Sequence, residues 1–113
     1  MCDPSVLEYI TSKVVLAAKE SLGDKLDRVI LYGSYARGDF DDESDIDIMV
    51  LADIPLESRG SERDKIRMLL GYIDLDNDVV LSLNVTDCTT FYQYVDILPF
   101  YTNVENDGVI LSA

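Results

Sequence analysis

The 113-residue sequence contains no histidine. This absence excludes a Ser-His-Asp triad, a Cys-His catalytic pair and a histidine zinc site. The two cysteines, Cys2 and Cys88, do not have the spacing of a metal or redox motif. We interpret them as ordinary thiols of a reducing compartment, with a disulfide between them as the alternative. Any chemistry must then depend on carboxylates, hydroxyls, arginine, lysine or a bound metal ion.

Long apolar runs are also missing. None approaches the roughly 18 residues that a helix needs to cross a bilayer. Residues 1–4 lack the basic start and the apolar block of a signal peptide. The chain is 48% hydrophobic, which is enough for a core, and its length is near that of one domain. The sequence therefore predicts a single cytoplasmic domain over residues 1–113, with no membrane association.

Basic residues are scarce, since nine Lys and Arg stand against 22 Asp and Glu, and the formal net charge is −13. A protein that binds a long stretch of nucleic acid needs many contacts between Lys or Arg and phosphates. Extended DNA or RNA is therefore not expected as a partner. Cations and basic proteins fit this charge. An equally good interpretation is that the acidic surface only maintains solubility.

Hydrophobic periodicity predicts an α/β (α+β) fold. Asp3 is a candidate N-cap, and Pro4 occupies the first helical position behind it. The pattern predicts helices at 4–22 and 61–73, strands at 26–32, 45–51 and 78–85, and shorter helical segments at 34–38, about 86–97 and 99–107. Residues 109–111 form too short a run to assign. This order predicts a small mixed sheet with helices packed mainly on one face.

Two carboxylates, Asp45 and Asp47, lie two positions apart on a predicted strand. Their side chains should point the same way, with origins roughly 6–7 Å apart. A divalent cation between them would make this arrangement favourable, and hard oxygen ligands suit Mg²⁺ or Mn²⁺. The alternative is a solvent-facing edge with two hydrated acids.

A glycine-serine turn, Gly33-Ser34, ends the first predicted strand and starts a short helix. Backbone N–H groups at a helix start and a serine hydroxyl can bind an anion, and glycine allows a phosphate to approach closely. Arg37 could add a charge-assisted contact. The turn is not a Walker A loop, because no Gly-Lys-Ser/Thr follows it, and an ordinary strand-to-helix turn is the alternative.

Taken together, Gly33-Ser34-Tyr35-Ala36-Arg37-Gly38 and Ser44-Asp45-Ile46-Asp47-Ile48 resemble the signature of the DNA polymerase beta-type nucleotidyltransferase superfamily, specifically its minimal nucleotidyltransferase (MNT) branch. The resemblance implies a nucleotidyltransferase fold. It implies that Gly33 and Ser34 hold a nucleoside triphosphate and that Asp45 and Asp47 act catalytically as metal ligands. The role that it implies for Arg37 in nucleotide binding is less fixed.

The family also takes a third acid from the next strand, as a metal ligand and a possible base. In this chain the match is looser. Asp78 is our choice, with Asp76 and Asp74 as competitors, and a loop of hydrated acids is the alternative. If no acid reaches the metals from this strand, catalytic activity is in doubt.

The resemblance implies a metal-dependent transferase that moves a nucleoside monophosphate, AMP from ATP in the expected case, to an acceptor hydroxyl with Mg²⁺ or Mn²⁺. Minimal members often pair with a HEPN-domain toxin, modify one of its tyrosines and act as antitoxins. Two alternatives are a catalytically silent binding module and a transferase that modifies a small molecule. The sequence identifies neither the nucleotide, the acceptor nor the oligomeric state.

Aromatic residues cluster near the C-terminal end of the chain. They are Phe91, Tyr92, Tyr94, Phe100 and Tyr101. We interpret them as core and C-terminal packing rather than as a platform on which bases stack. A surface for a partner protein is the alternative.

Overall fold

The computed structural model describes residues 3–112. Its elements, in chain order, are α1 (Pro4–Leu22), β1 (Leu26–Tyr32), α2 (Ser34–Arg37), β2 (Ile46–Ala52), α3 (Arg59–Leu70), α4 (Ile73–Asn77), β3 (Leu81–Asp87), α5 (Cys88–Tyr94), α6 (Pro99–Asp107) and β4 (Val109–Ser112). None of the described helices has the length and apolar composition that crossing a bilayer requires. Cys2 lies outside the described residues.

The four strands form one mixed sheet in the order β3-β2-β1-β4. β1 is antiparallel to both of its neighbours, and β2 is parallel to β3. The predicted α/β fold with a small mixed sheet is therefore confirmed. β4, which the sequence left unassigned, pairs with β1 and completes the edge opposite β3.

The two faces of the sheet bury different clusters. The larger core packs α1, α3 and α4 against one face, through residues such as Ile10, Val14, Ile66 and Ile73. The smaller core lies on the other face, where Phe91 of α5 and Val104 of α6 cover part of the central strands. More helices pack on the face of the larger cluster, as predicted, but α5 and α6 cover the other face. Because the central strands are buried on both sides, they consist of nearly continuous apolar runs.

Aspartate side chains cap the N-termini of two helices. Asp3 caps α1, since the Ser5 N–H donates to its Oδ1 at 2.8 Å. Asp87 caps α5 in the same way, with the Thr90 N–H donating to Oδ2 at 3.0 Å. A side-chain oxygen at the N-cap satisfies a backbone donor that has no partner within the helix.

Several predicted boundaries were wrong. β2 begins at Ile46 rather than at 45. The helix expected at 61–73 is α3, which starts two residues earlier and stops before Gly71. Gly71 ends the helix with φ +61, a backbone conformation that residues with a side chain rarely adopt. The short α4 then follows. α5 ends at Tyr94, three residues before the expected end.

The third strand also starts later than predicted, at Leu81 instead of 78. Asp78 has a left-handed backbone, with φ +53, and the Val79 N–H bonds back to the Asp74 carbonyl oxygen at 3.1 Å. The chain at 78–79 therefore still belongs to the end of α4. The sequence predicted a strand from residue 78 because Val79 and Val80 extend the apolar run of β3 toward its N-terminal end.

A polar link fixes the start of β3 against α3. Arg67 Nη1 donates to Asp74 Oδ1 at 2.7 Å, and the Leu81 N–H donates to Asp74 Oδ2 at 2.8 Å. Arg67 Nη2 also donates to the Leu81 carbonyl oxygen. The three residues connect the end of one helix to the first residue of the strand that lies beside β2.

Candidate active site

The glycine-serine turn connects β1 to α2. Gly33 has φ +74, and its carbonyl oxygen accepts the N–H groups of Ala36 and Arg37, each at 3.1 Å. This backbone conformation favours glycine over residues with a side chain. The turn places Ser34 next to the start of β2, where the two predicted metal ligands lie.

The carboxylate pair lies at the start of β2. Asp45 is exposed and directly precedes the strand, whereas Asp47 is half-buried and pairs in register with Tyr32. Burial and the negative charge of Asp45 raise the pKa of the Asp47 carboxyl, and the positive charge of Arg37 acts in the opposite direction. The two acids are therefore close enough to interact, with Arg37 as a nearby cation.

Gly33 and Asp47 are in contact. A Cβ built on Gly33 would overlap with Asp47 Oδ2. The absence of a side chain at position 33 thus leaves the space that the carboxylate occupies. Two carboxylates without sulfur or imidazole donors form a ligand set that suits a hard cation such as Mg²⁺. The residues present fit the metal that the sequence implied.

Four of the predicted site residues line one cavity of about 340 Å³: Gly33, Ser34, Arg37 and Asp47. Arg37 is also paired with Asp39, its Nε lying 3.2 Å from Oδ2. Because this ion pair is exposed, Arg37 can leave Asp39 and bind a phosphate at little cost in free energy. The structure therefore brings the predicted anion-binding turn and one of the two predicted metal ligands to the same place.

The three candidates for a third acid have different surroundings. Asp74 lines the same cavity as Asp45, but its carboxylate is engaged by Arg67 and the Leu81 N–H. Asp76 lines a separate cavity between α1 and α3. Asp78 lines a cavity of about 380 Å³ together with Asp45, because the Ile46 N–H donates to the Val80 carbonyl oxygen at 2.8 Å and holds this segment beside β2.

Within residues 3–112, no three acidic or cysteine side chains come together as a group that could hold a metal. The parallel register shows which β3 residues lie beside Asp47, and none of them is acidic. Asp47 is opposite Ser82, and Met49 is opposite Asn84. Leu81, Leu83 and Val85 point into the larger core, so Ser82 and Asn84 share the face of Asp47. The position where a β3 acid would approach Asp47 thus carries a hydroxyl.

Tyr32 is a further site residue that the sequence did not indicate. It lines the same cavity as Ser34 and pairs with Asp47 across the strands. Burial and the Asp47 charge raise the pKa of its phenol to about 12, and a hydrogen bond with Asn84 acts against them. Tyr32 therefore remains a neutral hydroxyl beside the carboxylate. Its position directly before Gly33 was the signal available in the sequence.

The aromatic cluster has two roles instead of one. Phe91 is fully buried in the smaller core, as predicted. Phe100 is 46% exposed and lines the cavity of the glycine-serine turn together with Asn103. The two residues are three positions apart on α6, a spacing that places them on one helix face. The sequence showed this spacing, but not that the face lies against the site.

A sheet that carries the predicted anion-binding turn beside two carboxylates is the arrangement expected of proteins that transfer phosphorus-containing groups. Comparison with known proteins identifies the family within this class. The chain belongs to the nucleotidyltransferase domain family, whose model matches residues 12–106.

Two proteins of Methanocaldococcus jannaschii are similar to this chain in sequence. The "Putative protein adenylyltransferase MJ0141" of Methanocaldococcus jannaschii is 40% identical over 89 residues, which cover 78% of this chain and 81% of that protein. The "Putative protein adenylyltransferase MJ0604" of the same organism is 40% identical over 50 residues, covering 44% of this chain and 50% of that protein. These relatives support a general function in nucleotidyl transfer.

Solved structures share the fold. A "putative nucleotidyltransferase from Sulfolobus solfataricus" aligns with a TM-score of 0.59 and 23% identity, covering 94% of this chain and 78% of that one. A chain from a toxin-antitoxin structure with AMP-PNP aligns with a TM-score of 0.53 and 23% identity, covering 89% and 71%. At this identity the likeness establishes the nucleotidyltransferase fold.

Proposed function

We propose that this protein is a Mg²⁺-dependent protein adenylyltransferase that moves AMP from ATP to a tyrosine hydroxyl of a HEPN-domain toxin and so acts as its antitoxin. The observation that carries the proposal is the shared cavity, in which Ser34 and Arg37 lie with Asp47. An anion-binding group and a metal-binding acid are both needed for a triphosphate substrate. A cytoplasmic site of action is part of the proposal.

Each site residue has a proposed part. Ser34 and the backbone of Gly33 would hold the triphosphate, and Arg37 would add a charge-assisted contact. Asp45 and Asp47 would hold Mg²⁺ or Mn²⁺, which neutralises phosphate charge when it is bound. Asp78 is the proposed third acid, since it lines the cavity that Asp45 lines, whereas both carboxylate oxygens of Asp74, which lines it too, already accept hydrogen bonds.

In the proposed reaction, the acceptor oxygen forms a bond to the α-phosphorus of ATP. The bond between that phosphorus and the oxygen bridging to the β-phosphate breaks, pyrophosphate leaves, and the hydroxyl proton passes to water. The contribution of the protein is to align the triphosphate with the acceptor, which removes much of the entropic barrier.

The surroundings of Asp47 support a protein acceptor. α6 covers the β1 side of the site, whereas a groove of about 530 Å³ lined by Ser82, Asn84, Arg59 and Arg63 lies on the β3 side. This groove leaves room for an acceptor chain to approach. The net charge of −13 favours a partner with a basic surface. The names of the relatives and the toxin-antitoxin neighbour are consistent with this choice.

A catalytically silent antitoxin is the second candidate function. The observation that favours it is Ser82, which stands opposite Asp47 where an acid from β3 would complete the site. Such a protein would bind and neutralise its partner without transferring AMP. Small-molecule modification has no comparable observation in its support.

The first test is calorimetric titration of the protein with AMP-PNP in the presence of Mg²⁺. Wild type is compared with Asp45→Asn/Asp47→Asn and with Asp107→Asn, an exposed acid at the end of α6 that serves as the matched control. We expect metal-dependent binding by wild type and by the control, and none by the double variant. The same binding by all three proteins would overturn the assigned site.

The second test is transfer itself. The protein is incubated with ATP, Mg²⁺ and a purified HEPN-domain partner, and intact mass spectrometry records whether the partner gains one AMP. Modification by wild type but not by Asp47→Asn supports the adenylyltransferase. Neutralisation of the toxin by Asp47→Asn, without any gain in mass, supports the silent antitoxin instead.

A further inference from the structure

The cavity of the glycine-serine turn has a second wall that the transfer chemistry does not use. One side is formed by Ser34, Arg37 and Asp47, and the other by Phe100 and Asn103 of α6. A cavity of about 340 Å³ lies within the size range of small-molecule sites. It is larger than a metal and a phosphate group require. The α6 wall is therefore available for the rest of a nucleotide.

Phe100 presents an aromatic surface in this wall. Its ring contacts Tyr32 edge-to-face, with centroids 5.6 Å apart and an interplanar angle of 76°. It also contacts Tyr101, at 5.6 Å between centroids and a 43° angle. The neighbouring rings fix its orientation, yet 46% of Phe100 remains exposed. A fixed and half-exposed ring can stack with a nucleobase at little cost in side-chain entropy.

Asn103 lies one helical turn further along α6 and is exposed. Its side chain makes no hydrogen bond to any other residue in the described part of the chain. A side-chain amide offers one acceptor and two donors, and it can pair with the N6 and N7 edge of adenine. Val104, which is buried in the smaller core, fixes this turn of α6 in place.

We infer that Phe100 and Asn103 form the base-binding wall of the nucleotide site, with Phe100 stacking on an adenine ring and Asn103 reading its edge. The inference rests on the proposed function, since it needs a nucleotide whose phosphates lie at Ser34 and Arg37. The arrangement places the phosphate groups at the turn and the base at α6. Base selection then resides in α6, the part of the family match that lies farthest from the signature motif.

The test separates base from phosphate. The affinities of AMP-PNP and of inorganic tripolyphosphate, each with Mg²⁺, are measured by calorimetry for wild type, Phe100→Leu and Asn103→Ala. Tyr94→Leu is the matched control, because it removes a partly exposed ring from α5 at a position outside this cavity. We expect Phe100→Leu to weaken AMP-PNP binding about tenfold or more and to leave tripolyphosphate binding unchanged. Tyr94→Leu should bind both as wild type does.

Asn103→Ala provides a second readout. Asn103 is exposed, so its substitution cannot disturb the core. We expect the preference for AMP-PNP over GMP-PNP to fall toward one. Wild-type binding of AMP-PNP together with unchanged affinities in both variants would overturn the base wall alone. Failure of wild type to bind AMP-PNP would overturn both the base wall and the proposed function.

Discussion

The carboxylate of Asp47 lies against the α-carbon of Gly33, so closely that a Cβ at position 33 would overlap with Asp47 Oδ2. Gly33 also has φ +74, a backbone conformation that L-residues rarely adopt. Two independent constraints therefore require glycine at this turn. One comes from the backbone, and the other from the proposed metal ligand.

Substitution of Gly33 by alanine should abolish metal-dependent nucleotide binding, because the new methyl group displaces Asp47. The backbone at φ +74 and ψ −155, which is essentially restricted to glycine, adds a stability cost of about 1–3 kcal/mol. Gly23→Ala is the control, since Gly23 has φ +56 with nothing within 4 Å of a new Cβ. Calorimetry with AMP-PNP and thermal unfolding measure both effects. Equal loss of binding in the two variants would show that backbone strain alone is responsible.

Replacement of Asp78 by asparagine tests the proposed third acid. Asparagine tolerates the left-handed backbone at this position, so the fold is preserved while the charge is removed. We expect Mn²⁺ affinity in the presence of AMP-PNP to fall by about tenfold, as measured by electron paramagnetic resonance of free Mn²⁺. Asp76→Asn, which lies at a different cavity, should leave the affinity unchanged. An unchanged affinity in Asp78→Asn would leave the site with two carboxylates.

Replacement of Ser82 by aspartate should strengthen metal binding. The register places residue 82 opposite Asp47 on the same face of the sheet, so the new carboxylate adds a charged oxygen ligand. We expect Mn²⁺ affinity to rise by about tenfold, which corresponds to about 1.4 kcal/mol. Ser82→Asn supplies the same size without the charge and should have no such effect. A weaker affinity in Ser82→Asp would show that residue 82 does not face the metal.

The Arg67–Asp74–Leu81 link should stabilise the fold without serving the chemistry. Asp74→Asn replaces a carboxylate oxygen by an amide NH2 group that cannot accept a hydrogen bond, and we expect the free energy of unfolding to fall by about 1–3 kcal/mol. Asp64→Asn, which alters an exposed acid on α3, should change it little. Chemical denaturation measures both variants. An unaffected Asp74→Asn would mean that the link contributes nothing net.

The same link should make stability depend on pH. Burial acts to raise the pKa of Asp74, but hydrogen bonds from Arg67 and the Leu81 N–H outweigh burial and hold the pKa below its ordinary value. A depressed pKa in the folded state means that the stabilisation is present above about pH 4 and is lost as the pH falls through the folded-state pKa. Wild type should therefore lose more stability than Asp74→Asn between pH 5 and pH 2, in denaturation experiments across that range.

Much of the fold follows from local patterns in the sequence. The Asp3 cap predicted the start of α1, and the apolar runs predicted β1 and β2 because strands covered on both faces need such runs. The boundaries that failed depend on contacts made elsewhere. Asp78 adopts a left-handed backbone at the end of α4, so β3 starts three residues late. β4 consists of four residues and exists only because β1 offers it an edge.

The sequence by itself determined the core of the candidate site, because its parts are near neighbours along the chain. The turn at Gly33-Ser34 follows β1 directly, and Asp45 and Asp47 lie two positions apart at the start of the next strand, where their charges interact. Only the tertiary structure decided what surrounds them. Ser82 lies opposite Asp47 through the β2–β3 register, and a slip of one residue would have put an apolar side chain there instead. Phe100 reaches the cavity because α6 buries Val104 against the sheet. The packing of the smaller core, rather than the local sequence, therefore sets the position of this ring.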